Sequence, residues 1–137
     1  FPQEMKKVGI PLKSNRLRIT EYINDMDVCL AAADLVICRS GASTLAELEA
    51  SAKASILIPS PIVAGNHQYH NAMVLGKAGA SVVIEQKDVT NEKIISEIEK
   101  LYNNPKKVKI MSYNAGKLHL KDTDKRILDK LYEKSKK

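Results

Sequence analysis

A chain of 137 residues is long enough for one domain with its own core, and 44% hydrophobic with 28% charged residues is an ordinary globular balance. Five Tyr, one Phe and no Trp weigh against a single-strand nucleic-acid binder, which stacks bases on aromatic platforms. The net charge of +6 gathers around Lys106, Lys107 and Lys109 and at Lys130, Lys134, Lys136 and Lys137, as a solvated helix face or a weak anchor for anionic lipid would place it.

Pro2 to Val8 reads as a short helix stopped by Gly9, and Pro11 to Asn15 as a loop. Leu17 to Ile19 is a short strand, and Tyr22 to Met26 a turn in which Asn24 or Asp25 caps a helix running to about Ala33. Leu35 to Cys38 is the next strand, and Ala42 to about Ala52 the next helix. Ser55 to Ile58 forms a further strand, halted by Pro59 and Pro61. A loop containing Gly65 leads into a helix from about Gln68 to Ala78, capped by Gly79, and Ser81 to Ile84 is a fourth strand. Thr90 is a candidate N-cap for an amphipathic helix carrying Ile94, Ile95, Ile98 and Leu101, which Asn103-Asn104-Pro105 ends. Lys106 to Lys137 reads as two helices with a joint near Lys121 to Thr123. No run approaches the roughly 20 apolar residues of a membrane span.

Strands alternating with helices imply an α/β fold, a Rossmann-like parallel sheet with helices on both faces. Its strands are short continuous apolar runs, as expected of strands covered on both sides. Cys29 and Cys38 have no metal-ligand spacing and read as buried thiols, one on a helix and one on a strand, unsuited to a disulfide.

Two constellations carry chemistry. In the first, the strand ending at Cys38 runs at once into Arg39-Ser40-Gly41-Ala42-Ser43-Thr44 and then a helix. That order sets the N–H groups of a helix N-terminus at the carboxyl edge of a sheet, where an anion such as phosphate binds. Glu47 follows Ser43 by one helical turn, so both project from one face. Its carboxylate suits the donor hydroxyls of a ribose and not a phosphate. The pattern is that of a nucleotide site.

The second is the loop after the next strand, Pro59-Ser60-Pro61 through Asn66-His67-Gln68-Tyr69-His70-Asn71-Ala72. Loops at the carboxyl ends of strands hold ligands in open α/β sheets. This one has amides and imidazoles for several sugar hydroxyls, although capping and loop closure equally explain Asn66 and Asn71. His67 and His70 lack a third partner at metal-binding spacing, so no metal is expected. His67 suits a hydrogen-bonding role better than a general base. No Ser/His/Asp or Cys/His arrangement stands out, and His119 reads as an exposed bystander in a polar helix.

Together these segments resemble the donor half of the MurG-type glycosyltransferases of family 28. The matching residues are Ala33-Asp34-Leu35-Val36-Ile37, Arg39-Ser40-Gly41-Ala42-Ser43-Thr44 and Glu47, then Ile58-Pro59-Ser60-Pro61, Asn66-His67-Gln68, Asn71-Ala72, Leu75 and Ala78-Gly79-Ala80. One departure is Ala52-Lys53-Ala54, where relatives usually carry Gly-Lys-Pro. The resemblance implies two Rossmann-like domains facing a cleft and inverting transfer of N-acetylglucosamine from UDP-N-acetylglucosamine to a lipid-linked muramyl-pentapeptide in peptidoglycan synthesis. It implies no cofactor and no protein-held metal. Its donor-site residues fall on Ile23 (uracil, through its main chain), Arg39, Ser40, Gly41, Ala42, Ser43 and Thr44 (diphosphate turn), Glu47 (ribose), His67 and Gln68 (sugar hydroxyls), and Asn71 (loop support).

The resemblance further implies that residues 1–137 are one partial domain, the donor-binding half, without the acceptor domain and the first strand–helix unit. No catalytic residue is then expected in this chain, nor activity from it alone. The acceptor is reached through the other domain, the enzyme sits peripherally on the cytoplasmic face of the bacterial membrane, nucleic acid is not a partner, and an uncovered sheet edge favours self-association. The opening Phe1-Pro2, with no initiator Met, fits a piece of a longer protein. Rival readings are another donor subunit of the same family, stand-alone or from a glycolipid synthase, and a non-catalytic nucleotide-binding module.

Overall fold

A computed structural model describes residues 15–61 and 66–135, with the side chains of 122–126 and 135 set aside. The expected helix from Pro2 to Val8, its Gly9 cap, the loop up to Ser14 and Gly65 lie outside the described residues. Among the described residues the sheet has three parallel strands in the order β1 (Leu35–Cys38), β2 (Ala54–Leu57) and β3 (Ser81–Val83). Leu35 registers with Ala54 and Cys38 with Leu57, and Leu57 registers in turn with Val83.

Around the sheet run α1 (Met26–Ala32), α2 (Ala42–Ala50), α3 (His67–Lys77), α4 (Asn91–Tyr102) and α5 (Pro105–Ser135), with a short 3-10 turn at Gln86–Asp88. Alternation along the strands divides the core. Leu57 packs with Leu45 and Leu48 of α2 and Ala72 and Leu75 of α3 on one face. Ala54 and Ile56 pack with Leu101 of α4 and Met111 of α5 on the other. Both faces are therefore covered by helices, as the sequence pattern requires. Ser55 and Ser81 are buried on the first face and satisfy each other by a hydroxyl–hydroxyl bond.

The helix ends follow local chemistry. Thr90 caps α4, its Oγ1 accepting from the Lys93 N–H at 3.0 Å. Asn104 does the same for α5, accepting from the Lys107 N–H at 3.2 Å, and Pro105 fills the first helical position, where its missing N–H costs nothing. After α3, Gly79 takes φ 74° while Ala80 N–H reaches back to the Leu75 carbonyl at 2.9 Å. This glycine-terminated stop is the one expected at that place.

Four expectations are corrected. Lys106 to Lys137 does not divide in two: α5 is one helix through Ser135, because Lys121-Asp122-Thr123 contains no Gly or Pro to interrupt its backbone bonds. Leu17 to Ile19 contributes a single bridge residue, Arg18, and no strand, because its apolar stretch is too short and Leu17 is 41% exposed. His119 is half-buried, not exposed. Cys29 and Cys38 are half-buried free thiols where full burial was expected; burial still pushes the Cys38 thiol above its usual pKa.

Candidate functional site

In a parallel sheet the helix after a strand starts at the strand's carboxyl edge, and the helix before a strand runs back from that edge. The starts of α1, α2 and α3 therefore share one edge, and so do the sequence-derived site residues. Ile23, 39% exposed, lies just before α1; Ser40 to Glu47 form the entrance and first turns of α2; His67, Gln68 and Asn71 open α3.

Gly41 caps α2 with φ −65° and no side-chain cap bond, and the first intrahelical bond runs from Leu45 N–H to the Gly41 carbonyl at 3.0 Å. The N–H groups of Ala42, Ser43 and Thr44 precede it and have no intrahelical acceptor. Ser43 is exposed and Thr44 half-buried, so backbone donors and hydroxyls converge on one accessible mouth. Glu47 is exposed one turn further along. An anion at the mouth gains from the helix dipole, and a hydroxylated group extending toward Glu47 finds an acceptor.

The α3 loop is tied to this mouth by polar bonds. Buried Ser40 donates through Oγ to the main-chain carbonyl of Gln68 at 2.6 Å. Asn71 Nδ2 donates to the Ser40 carbonyl at 3.5 Å. Gln68 Oε1 accepts from the Ser60 N–H at 2.8 Å, and its Nε2 lies 4.0 Å from where a Cβ on Gly41 would stand. His67 is exposed at the start of α3, and Asn66 before it adopts the left-handed conformation, φ 57°. Asparagine tolerates that conformation better than most residues.

Arg39 takes a different place from its neighbours. Its Nη1 donates to the carbonyls of Ile58 at 3.2 Å and Pro59 at 3.4 Å and to Gln86 Oε1 at 2.6 Å. The guanidinium thus bridges the carboxyl end of β2 and the segment after β3. Gln86 joins the candidate site without having been singled out in the sequence, and Ser60, named there only as part of its loop, joins it through its backbone N–H. Their one signal was position, just past the end of a strand.

Hollows open on this edge. One of about 140 Å³ is lined by Pro59, Ser60, Asn66, Tyr69 and Glu85, and one of about 260 Å³ by Ile37, Cys38, Arg39, Ile58 and Val89, with Gln86 shared between them. A larger apolar groove, about 410 Å³, begins at Asp34 and Leu35, on the amino edge of the sheet and away from every residue above. His70 stands edge-on to Tyr69 with ring centroids 5.7 Å apart. Among the described residues no cluster of three His, Cys, Asp or Glu could hold a metal ion, and no helix is long and apolar enough to cross a membrane.

Comparison with known proteins bears on the family and the fold. The model of the glycosyltransferase family 28 C-terminal domain matches residues 2–127. A UDP-N-acetylglucosamine--N-acetylmuramyl-(pentapeptide) pyrophosphoryl-undecaprenol N-acetylglucosamine transferase of Thermoanaerobacter sp. (strain X514) is 50% identical over 111 residues, 81% of this chain and 30% of the relative. The protein of that name from Acetivibrio thermocellus is 45% identical over 125 residues, 91% of this chain and 34% of its own. The crystal structure of Acinetobacter baumannii MurG superposes with a TM-score of 0.66 at 30% identity, over 72% of this chain and 30% of that one. Glycosyltransferase VinC in complex with dTDP superposes with 0.70 at 14% identity, over 87% and 27%, a likeness of fold alone. The chain spans about a third of the length of these curated relatives. A family match over nearly the whole chain leaves one assignment: this protein belongs to glycosyltransferase family 28, through its C-terminal domain.

Proposed function

We propose that this chain is the donor-binding half of an enzyme that moves N-acetylglucosamine from UDP-N-acetylglucosamine to a lipid-linked muramyl-pentapeptide, with inversion at the sugar C1. The observation that carries the reading is the open α2 N-terminus with Glu47 on one side and the α3 loop bound to it through Ser40 on the other. A diphosphate fits the mouth, a ribose fits Glu47, and a sugar fits His67 and Gln68, with Asn71 holding their loop.

In this reading the N–H groups of Ala42, Ser43 and Thr44 and the hydroxyls of Ser43 and Thr44 receive the diphosphate. The main chain at Ile23 meets the uracil. Charge grows on the β-phosphate as the bond to C1 breaks, and an already oriented helix N-terminus stabilises it without reorganising. No residue of this chain is given the role of base. The same reading places the enzyme peripherally on the cytoplasmic face of the membrane, and the free edge of β1, which pairs only with β2 among the described residues, as a surface for self-association.

The decisive substitution is Glu47→Ala. Hydrogen bonds to a charged acceptor contribute roughly 1.5–3 kcal/mol, so UDP affinity should fall at least about tenfold. Binding of inorganic phosphate, measured by the same calorimetric titration, should stay within about twofold. Equal losses for both ligands would remove the ribose from Glu47.

A further inference from the structure

Arg39 and Ser40 sit at the centre of the site, and the side chains of both are bound to protein acceptors. We propose that these two consecutive residues are positioning residues that lock Gln68 as a hydrogen-bond donor to the transferred sugar.

The Ser40 side chain is fully buried, and its proton goes to the Gln68 main-chain carbonyl at 2.6 Å. That bond fixes where α3 begins relative to the mouth of α2. Arg39 acts from the other direction. Its Nη1 holds the carbonyls of Ile58 and Pro59, the two residues that lead into Ser60. The Ser60 N–H then donates to Gln68 Oε1 at 2.8 Å.

An N–H must face an acceptor, so chemistry assigns oxygen to the atom beside Ser60 and turns the NH2 of Gln68 the other way. It turns toward Gly41 and the helix mouth. With its oxygen engaged, Gln68 meets a ligand as donor, and the group it selects is an oxygen with a free lone pair, a sugar hydroxyl or an acyl carbonyl. This inference rests on the donor-site reading above, and it assigns the choice of sugar to a lock that touches no ligand atom.

The test is titration of the 137-residue chain with UDP and with UDP-N-acetylglucosamine, alongside amide exchange without ligand. Ser40→Ala, Arg39→Met and Gln68→Ala should each weaken UDP-N-acetylglucosamine more than UDP itself. Each should lose about fivefold of the extra affinity the sugar confers, the worth of one hydrogen bond. Ser40→Thr, which keeps the hydroxyl, should restore it. In the free chain the Ser60 amide should exchange slowly in the wild type and in Gln68→Glu, which retains an acceptor. It should exchange fast in Gln68→Ala, Ser40→Ala and Arg39→Met. Equal losses for both ligands, or an unprotected Ser60 amide in the wild type, would overturn the lock. A wild-type chain that binds no UDP would instead overturn the donor-site reading and the sugar role with it, while a protected Ser60 amide would still show the lock itself.

Discussion

Ala52 follows the last turn of α2 with φ 53°, in a backbone region that penalises a Cβ. Its N–H donates to the Glu49 carbonyl at 3.1 Å, and the Lys53 N–H donates to the Leu48 carbonyl at 3.0 Å. That pair of reverse bonds is the helix stop usually built around glycine, and Gly79 builds the same stop after α3. The departure noticed in the sequence, Ala-Lys-Ala for Gly-Lys-Pro, is therefore a strained cap. Ala52→Gly should relieve it and raise stability by about 1 kcal/mol, the left-handed penalty less the extra entropy of an unfolded glycine. Chemical denaturation would show it as a higher midpoint at constant slope. Lys53 adds a separate tie, donating through Nζ to the carbonyls of Ala31 at 3.1 Å and Ala33 at 2.8 Å at the end of α1.

At the scale of an element, α4 shows how charge supports an amphipathic helix. Glu97 lies near the core side, and burial by itself pushes its pKa up. Hydrogen bonds from Lys93 at 3.2 Å and Lys100 at 3.4 Å, together with their charges, outweigh burial and hold the carboxyl below its usual range. A carboxylate with a depressed folded pKa stabilises the fold above its unfolded pKa, about 4.3, and that contribution is lost as pH falls through the folded value. The lysines are half-exposed or more, so solvent screening keeps the effect small. Glu97→Gln should cost about 0.5 kcal/mol at pH 7, and the difference should vanish only as pH falls through the depressed folded pKa, where the native side chain becomes neutral. Thermal unfolding of both chains across pH 3 to 7 checks the sign. A gap that widened toward low pH would contradict the pairing.

At the scale of the whole molecule, the strand order among the described residues leaves β1 at an edge, with Ile37 42% exposed on it. Unpaired backbone groups on such a strand template pairing with another chain. Sedimentation at rising concentration should show reversible association, and Ile37→Lys should suppress it by adding charge at the edge. A clean wild-type monomer at high concentration would exclude the edge as a contact surface. The carboxyl edge of the same sheet collects the starts of three helices, so one layer of backbone organises both the core and the candidate site.

The elements with strong local signals were legible without coordinates. An apolar run followed by small hydroxylated residues announced β1, the turn and α2; Thr90 announced α4; Gly79 announced the end of α3. These depend on interactions within a few residues, which a sequence displays directly. Elements with weak local signals were misread. Leu17 to Ile19 has too short an apolar stretch to extend its one bridge at Arg18 into a strand, and the run near Lys121 lacked a breaker to end α5. The site divides in the same way. The helix mouth and Glu47 follow from spacing on one helix. Residues 39, 58, 60, 68 and 86 were joined only by the parallel register that sets the ends of β1, β2 and β3 side by side. Sequence alone determined which groups offer donors to an anion, because that is local chemistry. Tertiary structure alone decided which protein acceptors Arg39 and Ser40 bind, because those acceptors lie 19 to 47 residues away along the chain.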